Sequence, residues 1–397
     1  MKVVQINTTC GIGSTGKICV GISELLTDKG VENYILCSKS NGYPLGIKLA
    51  DNKYTKFQML KSHVLGNYGF NSKLETKKMI AELERIKPDI VHLHNIHGHD
   101  CNLEMLFKYF KANNVKLIWT FHDCWAFTGY CVYFDMTRCE KWKTSCHNCP
   151  QRRTYSFLFD NSKQLFERKK KLFSGLNLTV VTPSRWLADL VKESFLKDYP
   201  VEVINNGIDL GVFRPTESDF RKKYGIGDKK IVLDVAFGWD ERKGLDVLLE
   251  LAKRLPDDYV IVLVGTDDAI DKTLPPNIIS IHRTQNQRGL AEIYTAADAF
   301  AIPTREDNYP TVNMEAIACG TPVITFRTGG SPEMVDGNTG SVVECDDVDA
   351  LEREIIRICS DKPYSTEMCV EKAKSFDKGE RFCEYTVLYE RIIASRN

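Results

Sequence analysis

Asp307 and Glu315 stand eight positions apart in Pro303-Thr-Arg-Glu-Asp-Asn-Tyr-Pro-Thr-Val-Asn-Met-Glu-Ala316. Two carboxylates at that spacing can grip separate parts of one long, hydroxyl-rich ligand. The apolar run Asp298-Ala-Phe-Ala-Ile302 before them reads as a buried strand, and Pro310 with Thr311 suits the opening of a helix that ends at Gly320. Asp307 then falls in the loop before the helix, and Glu315 lies about a turn and a half inside it. Loops leaving the carboxyl edge of a parallel sheet are where α/β proteins take ligands, so one acid meets the near end of a ligand while the other reaches along it. Lys243, in Asp240-Glu-Arg-Lys-Gly244 after another strand, adds a positive charge that can approach a diphosphate.

Three further groupings carry chemistry. Gly11-Ile-Gly-Ser-Thr-Gly-Lys17 matches a Walker A loop at Gly11 and Gly16-Lys17, but Ile18 stands where a magnesium-binding hydroxyl is needed. Ile18, Ile22, Leu25 and Leu26 form an apolar stripe at helical spacing, so Ile18 faces a sheet, and the loop offers backbone N–H groups to anions or sugar oxygens. Histidines gather at strand ends in Val91-His-Leu-His-Asn-Ile-His97 and Thr120-Phe-His-Asp123. His122 should emerge at the ligand edge, where neutral imidazole accepts a hydrogen bond from a hydroxyl. For His92 and His94, a polar group satisfied at a strand end and a role beside an acceptor stay equally open. None of these histidines shows the two-ligand spacing on one helix face of a zinc hydrolase. Cys146-His-Asn-Cys149 has the spacing of a zinc knuckle, and Cys131 and Cys139 complete a candidate tetrahedral site, with free thiols as the alternative.

The elements that must position these groups alternate. Apolar strands at Val3 to Ile6, Tyr34 to Cys37, Ile90 to Leu93, Leu117 to Phe121 and Leu178 to Val181 are followed by a second set at Ile231 to Val235, Val260 to Val264, Ile278 to Ile281, Ala299 to Ile302 and Pro322 to Thr325. With amphipathic helices between them, this predicts an α/β chain of two doubly wound parallel sheets, and 397 residues at 43% hydrophobic content suffice for two cores. The boundaries read as 1–202, carrying a cysteine-rich insert at about 124–149, then 203–377, then a terminal helix over 378–397 that packs back on the first domain. Lys+Arg 53 balances Asp+Glu 53, which argues against nucleic acid as a partner. No apolar stretch reaches the length of a membrane span and Met1-Lys-Val-Val-Gln-Ile6 lacks the features of a signal peptide, so a cytoplasmic protein is expected. The basic run Arg168-Lys-Lys-Lys171 reads either as a solvated helix face or as a contact for anionic lipid headgroups.

The acidic pair and its surroundings resemble the acidic-x7-acidic signature of the retaining glycosyltransferases of family 4, group 1 enzymes of the GT-B fold that include bacterial capsular and exopolysaccharide transferases. Asn206-Gly-Ile-Asp209 with Phe213-Arg-Pro215 is similar to the family's lead into its nucleotide domain, and Trp125-Ala-Phe-Thr-Gly-Tyr-Cys131 to a stretch of the polysaccharide enzymes. The resemblance implies two Rossmann-like domains facing each other across a cleft. It further implies a UDP- or GDP-linked sugar as donor, a glycan, lipid-linked in many members, as acceptor, and a site on the cytoplasmic face of the inner membrane. It places Asp307 at the donor sugar, with Asn308, Tyr309, Pro310 and Thr311 beside it, and Glu315 on ribose hydroxyls. Lys243 falls on the diphosphate, Gly265, Arg283 and Thr284 near base and phosphates, and Gly11, Gly13 and Gly16 near donor and acceptor. His122 becomes the functional histidine, with Asp123, His94 and Asn95 on the acceptor side. His122, Lys243 and Asp307 are thus the expected catalytic set, with no cofactor required for catalysis. Two departures stand out: Asp307 where most members carry Glu, and Gly238 where the family has an arginine, for which Arg242 is the candidate substitute. A nucleotide-sugar epimerase and a noncatalytic nucleotide-sugar-binding protein are the alternatives on the same fold.

Overall fold

Val3, Val4 and Ile6 are buried on both sides of strand β1 (Lys2–Ile6), as expected of a central parallel strand covered on both faces. In the computed structural model, which describes residues 1–395, β1 is followed by β2 (Thr9–Cys10), β3 (Glu32–Cys37), β4 (Lys39–Ser40) and β5 (Gly46–Lys48). Then come β6 (Ile90–Leu93), β7 (Leu117–Thr120), β8 (Leu178–Thr182) and β9 (Val201–Val203). Apart from the short β2–β4 pair, these strands form one parallel sheet in the order β5-β3-β1-β6-β7-β8-β9. The order reverses between β1 and β6, which opens a crevice beyond their carboxyl ends.

The second sheet repeats the scheme with β10 (Lys230–Val235), β11 (Tyr259–Val264), β12 (Ile278–Ile281), β13 (Ala299–Ile302), β14 (Val323–Phe326) and β15 (Gly340–Val343). All are parallel, in the order β12-β11-β10-β13-β14-β15, and the switch falls between β10 and β13. Two apolar clusters cover its two faces, one built on Leu233, Val262, Phe300 and Val323 and the other on Val232, Ile261, Ala301 and Ile324. That alternation along each strand is what a doubly wound sheet requires.

The edge strands β5, β9 and β15 were not legible as apolar runs, because they are short and only partly buried. Val203 closes the first sheet, so the first unit runs Met1–Asn205 and resumes at Arg381, while the second is Asn206–Glu380. The sequence boundary after residue 202 fell within this edge strand because Val203 opens a stretch rich in turn formers.

From Arg381 the terminal helix Lys378–Ala394 belongs to the first unit, where Phe382, Tyr385, Leu388 and Tyr389 pack with Val3, Ile18, Ile22, Ile90 and Ile118. His92 joins this seam: its Nδ1 lies 2.7 Å from Tyr389 Oη and its Nε2 2.8 Å from Thr120 Oγ1. Of the two readings of His92, the satisfied interior group is the one observed. Burial pushes its pKa down to about 3. A depressed folded pKa means that the unfolded chain binds more protons between pH 3 and 6.5, so stability is full above that window and is lost as pH falls through it. His92 alone is expected to remove about 2 kcal/mol of stability by pH 5. Denaturant unfolding at several pH values should show this slope in the wild type and a shallower one in His92→Gln.

Candidate active site

The two loops at the switch of the second sheet are clamped together. Asp240 begins the turn Glu241–Lys243 by accepting the Lys243 N–H at 2.9 Å. Gly244 follows at φ +75°, where a Cβ would stand 2.3 Å from the Pro303 carbonyl oxygen. The Arg305 N–H donates to the Arg242 carbonyl at 2.9 Å, and Arg242 Nη1 donates to the Glu306 carbonyl at 3.1 Å. Arg305 is held in turn by Asp246 and Asp346, each at 2.7 Å. With the loops fixed, Lys243 Nζ lies 2.6 Å from Asp307 Oδ2, and the side chains are 19% and 20% exposed. The other oxygen, Oδ1, accepts the Asn308 N–H at 2.9 Å.

Glu315 sits in the helix Thr311–Ala318, half-buried, and accepts from Tyr294 Oη at 3.1 Å. Tyr294 is fully buried; burial first, and then the charge of Glu315, raises its pKa, so the hydroxyl stays a donor that orients the carboxylate. Asn308, Tyr309 and Pro310 are buried and shape the loop, with Tyr309 in the apolar cluster beneath it, while Thr311 is half-buried. Arg242, expected to replace the missing arginine at 238, is tied to its neighbouring loop. Gly238 is exposed with open space around it.

Gly265 is needed for backbone proximity: at φ +91° a Cβ would stand 1.8 Å from the Ala236 carbonyl oxygen. Arg283, exposed, and Thr284, half-buried, follow the edge strand β12, two strands from β10.

Sequence reasoning missed four residues here. Gly329, at φ +54°, would place a Cβ 1.7 Å from the Asp307 carbonyl oxygen, and the Gly330 N–H donates to the Asn308 carbonyl at 2.7 Å. A glycine pair two residues beyond the end of a strand was the available signal. Tyr294 is the third. The fourth is Asp234, a carboxyl inside β10 that burial pushes well up against the opposing pull of the Val235 N–H and of Lys243. One acid within an apolar strand was its signal.

In the first unit, a hydrogen-bonded chain runs from β1 to the end of β7. Gln5 Nε2 donates to the Cys19 carbonyl at 3.0 Å, which leaves Gln5 Oε1 to accept from His94 Nε2 at 3.1 Å. His94 Nδ1 is then an acceptor, and it meets His122 Nε2 at 3.1 Å. The network therefore assigns the proton of neutral His122 to Nε2 and leaves Nδ1 unprotonated. Burial holds the pKa of His122 down at about 4 in spite of Asp123, so the ring is neutral at pH 7. Asp123 accepts from His97 Nε2 at 2.9 Å and from the Trp125 N–H at 2.9 Å. Burial pushes its carboxyl up, but His97 and these bonds more than offset this and hold it low. His94, Asn95, His97, His122 and Asp123 line one recess. Asn95 contributes to the switch point through its backbone, its N–H donating to Asn7 Oδ1 and its carbonyl accepting from the Thr8 N–H. His97 was missed as the partner of Asp123.

The glycine loop opens the helix Gly13–Asp28, whose first turn has no side-chain cap. The Gly11 N–H is used internally, donating to the Gly16 carbonyl at 3.0 Å, while Gly13 is exposed at φ +68°. Ile18 is buried against the sheet as its spacing required.

Cys131, Cys139, Cys146 and Cys149 line a second recess, beneath Trp142. Lys169 corrects the reading of the basic run. It is fully buried, on the inward stripe of the helix Ser162–Phe173 with Leu165, Phe166 and Phe173, while Arg168 pairs with Glu104 at 2.9 Å and covers the ring of Phe70.

Two parallel sheets, each doubly wound and each carrying polar chemistry at its switch point, define a GT-B protein. The model for "Glycosyl transferases group 1" matches residues 216–376, and that for "Glycosyltransferase Family 4" matches residues 16–212. The chain belongs to this family of glycosyltransferases. It is 25% identical over 372 residues to WcaC of Escherichia coli, which is named as a colanic acid biosynthesis glycosyl transferase, covering 88% of each chain. It is also 30% identical to the GDP-mannose-dependent α-(1-6)-phosphatidylinositol monomannoside mannosyltransferase of Mycolicibacterium smegmatis, over 49% of this chain and 57% of that one. Among solved structures, sucrose-phosphate synthase of Thermosynechococcus elongatus superposes with a TM-score of 0.73 at 18% identity over the whole of both chains. Anabaena HepE in complex with UDP-glucose gives 0.68 at 14% identity, covering 98% of this chain and 100% of that one. At such identities these two share the fold.

Proposed function

We propose that this glycosyltransferase moves a sugar from a nucleotide diphosphate-sugar to a lipid-linked glycan, with retention of anomeric configuration, during cell-surface polysaccharide assembly. The observation that carries this reading is the Lys243–Asp307 pair, a cation and an anion 2.6 Å apart at one switch point, with Glu315 further along the same loop and helix. A glycosyl diphosphate presents hydroxyls and phosphate next to each other at its anomeric carbon. Asp307 accepts from the sugar hydroxyls, Lys243 meets the diphosphate, and Glu315, oriented by Tyr294, takes the ribose. As the anomeric C–O bond to phosphate breaks, Lys243 stabilises the departing diphosphate in place of a metal ion. The acceptor oxygen bonds to the anomeric carbon from the same face, and its proton passes to the leaving phosphate oxygen. His122 and Asp123, which line one recess of the first unit, serve the acceptor side.

WcaC supports polysaccharide assembly as the setting, and the names of the mycobacterial enzyme and of the HepE complex leave GDP- and UDP-sugars as the donors to screen. Incubation with both donor classes and extracted lipid-linked glycans, in the presence of chelator, should release nucleoside diphosphate and give a retained linkage by NMR. An inverted linkage overturns the mechanism. Isotope exchange at the sugar without an acceptor would indicate an epimerase, and donor binding with no turnover a binding protein; either result overturns transfer.

A lipid-linked acceptor is supported by the surface of the first unit. The helix Asn52–Leu65 turns Thr55, Gln58 and Ser62 inward and leaves Phe57 and Leu60 outward, among Lys53, Lys56 and Lys61. The Phe157 N–H donates to the His63 carbonyl at 2.8 Å, which brings Phe157, Leu158 and Phe159 alongside, and all five apolar side chains are more than half exposed. Apolar side chains flanked by lysines fit a bilayer with anionic headgroups, which supports a peripheral site on the cytoplasmic face of the inner membrane. The protein should sediment with phosphatidylglycerol-containing vesicles, and Phe57→Glu with Leu60→Glu should abolish this. A wild type that ignores the vesicles, or that self-associates through this face, refutes the contact.

A further inference from the structure

Lys169 has no acidic partner among the described residues. Its Nζ is wholly buried, donates to the Trp125 and Thr128 carbonyls at 2.8 and 3.1 Å, and lies 3.6 Å from the centre of the Trp125 ring. An ammonium buried among dipoles alone is costly, and a neighbouring anion would offset that. The Thr128 carbonyl that it holds belongs to the same peptide unit as the Gly129 N–H, which donates to Cys146 Sγ at 3.2 Å, and Cys146, Cys131 and Asp123 act on its charge. Asp123 is already bonded to His97, which leaves the sulfurs.

Those sulfurs belong to the four cysteines of one recess. All four are free thiols; Cys131 interacts with Cys149 and feels the charge of Cys146 and Cys139, and Cys146 feels that of Cys139 and Cys149. Cys146 Sγ accepts the Gly129 N–H at 3.2 Å, a bond that favours a thiolate. The turn between Cys146 and Cys149 is built in advance: Asn148 lies at φ +44°, and Lys141 Nζ ties the carbonyls of His147 and Asn148 at 3.1 Å each. No three of the sulfurs lie within 4.8 Å of one another, so closure on an ion takes rotation of cysteine side chains about Cα–Cβ.

We propose that Cys131, Cys139, Cys146 and Cys149 bind one zinc ion as thiolates, with Lys169 as the buried charge partner of the site. Four thiols give up four protons on binding, and the zinc with its thiolates carries a net charge of about −2, which the ammonium partly balances. The segment so fixed follows directly on His122 and Asp123, so the ion holds the wall of that recess.

The test is the zinc content of the full-length protein purified without chelator, by plasma mass spectrometry. About one zinc per chain is expected, released by a mercurial reagent, and lost in Cys131→Ser and Cys149→Ser. Lys169→Met should still bind zinc at pH 8 but release it to a competing chelator at least tenfold more readily, because the negatively charged site has lost its buried counter-charge; Lys169→Arg should restore the wild-type profile. Zinc near zero with four free thiols, or a Cys131–Cys149 disulfide seen by mass, overturns the site. A release profile unchanged in Lys169→Met overturns the role of the lysine.

Discussion

Lys243→Ala is expected to lower kcat by about 10²–10³-fold, or ~2.7–4 kcal/mol, the usual effect of removing one preorganised donor from a developing charge. The substitution leaves the turn intact, because Asp240 caps it through the Lys243 backbone N–H rather than the ammonium. It also leaves Asp307 half-buried without its 2.6 Å partner, so the donor sugar meets an anion less firmly placed. Steady-state kinetics with saturating acceptor, beside circular dichroism to establish folding, separates this from loss of structure. A folded variant within threefold of wild type would remove Lys243 from the mechanism.

Gly329→Ala should be nearly as damaging, about 10²-fold in kcat/KM for the donor, although its effect is indirect. The residue lies in the left-handed region at φ +54°, where a side chain costs about 1–2 kcal/mol. Its new methyl would stand 1.7 Å from the Asp307 carbonyl oxygen, and backbone must yield on one side or the other. The yielding segment carries the carboxylate opposite Lys243. Gly337→Ala is the control, since open space surrounds that position, and its stability should stay within about 0.5 kcal/mol of wild type. Equal donor kinetics for the two variants would show that the position of Asp307 does not limit the reaction.

Both predictions rest on residues of unequal visibility in the sequence. Lys243 and Asp307 were legible as candidates because each follows an apolar strand, and strand ends collect ligand groups. Their ion pair was not, since it joins positions 64 apart through a strand order that no local pattern encodes. Gly329 was hidden for the same reason: its need for glycine arises from a neighbouring loop's carbonyl. Lys169 shows two signals in conflict. Its spacing with Leu165, Phe166 and Phe173 placed it on the buried stripe, while its charge argued for solvent, and the structure follows the spacing. In the helix Asn52–Leu65 the usual sense of the pattern is reversed, with polar Thr55, Gln58 and Ser62 inside. The parallel cores were readable because strands buried on both faces are continuous apolar runs, whereas the edge strands β5, β9 and β15 lack that signature.

In the proposed reaction Lys243 holds the diphosphate while Glu315 holds the ribose of one nucleotide. Calorimetric titration of UDP and GDP, with uridine and guanosine as controls, tests this on wild type, Lys243→Ala and Glu315→Gln. Lys243→Ala should weaken binding of the nucleoside diphosphate at least tenfold and leave the nucleoside unchanged, while Glu315→Gln should weaken both. Diphosphate binding by Lys243→Ala equal to that of the wild type would contradict it.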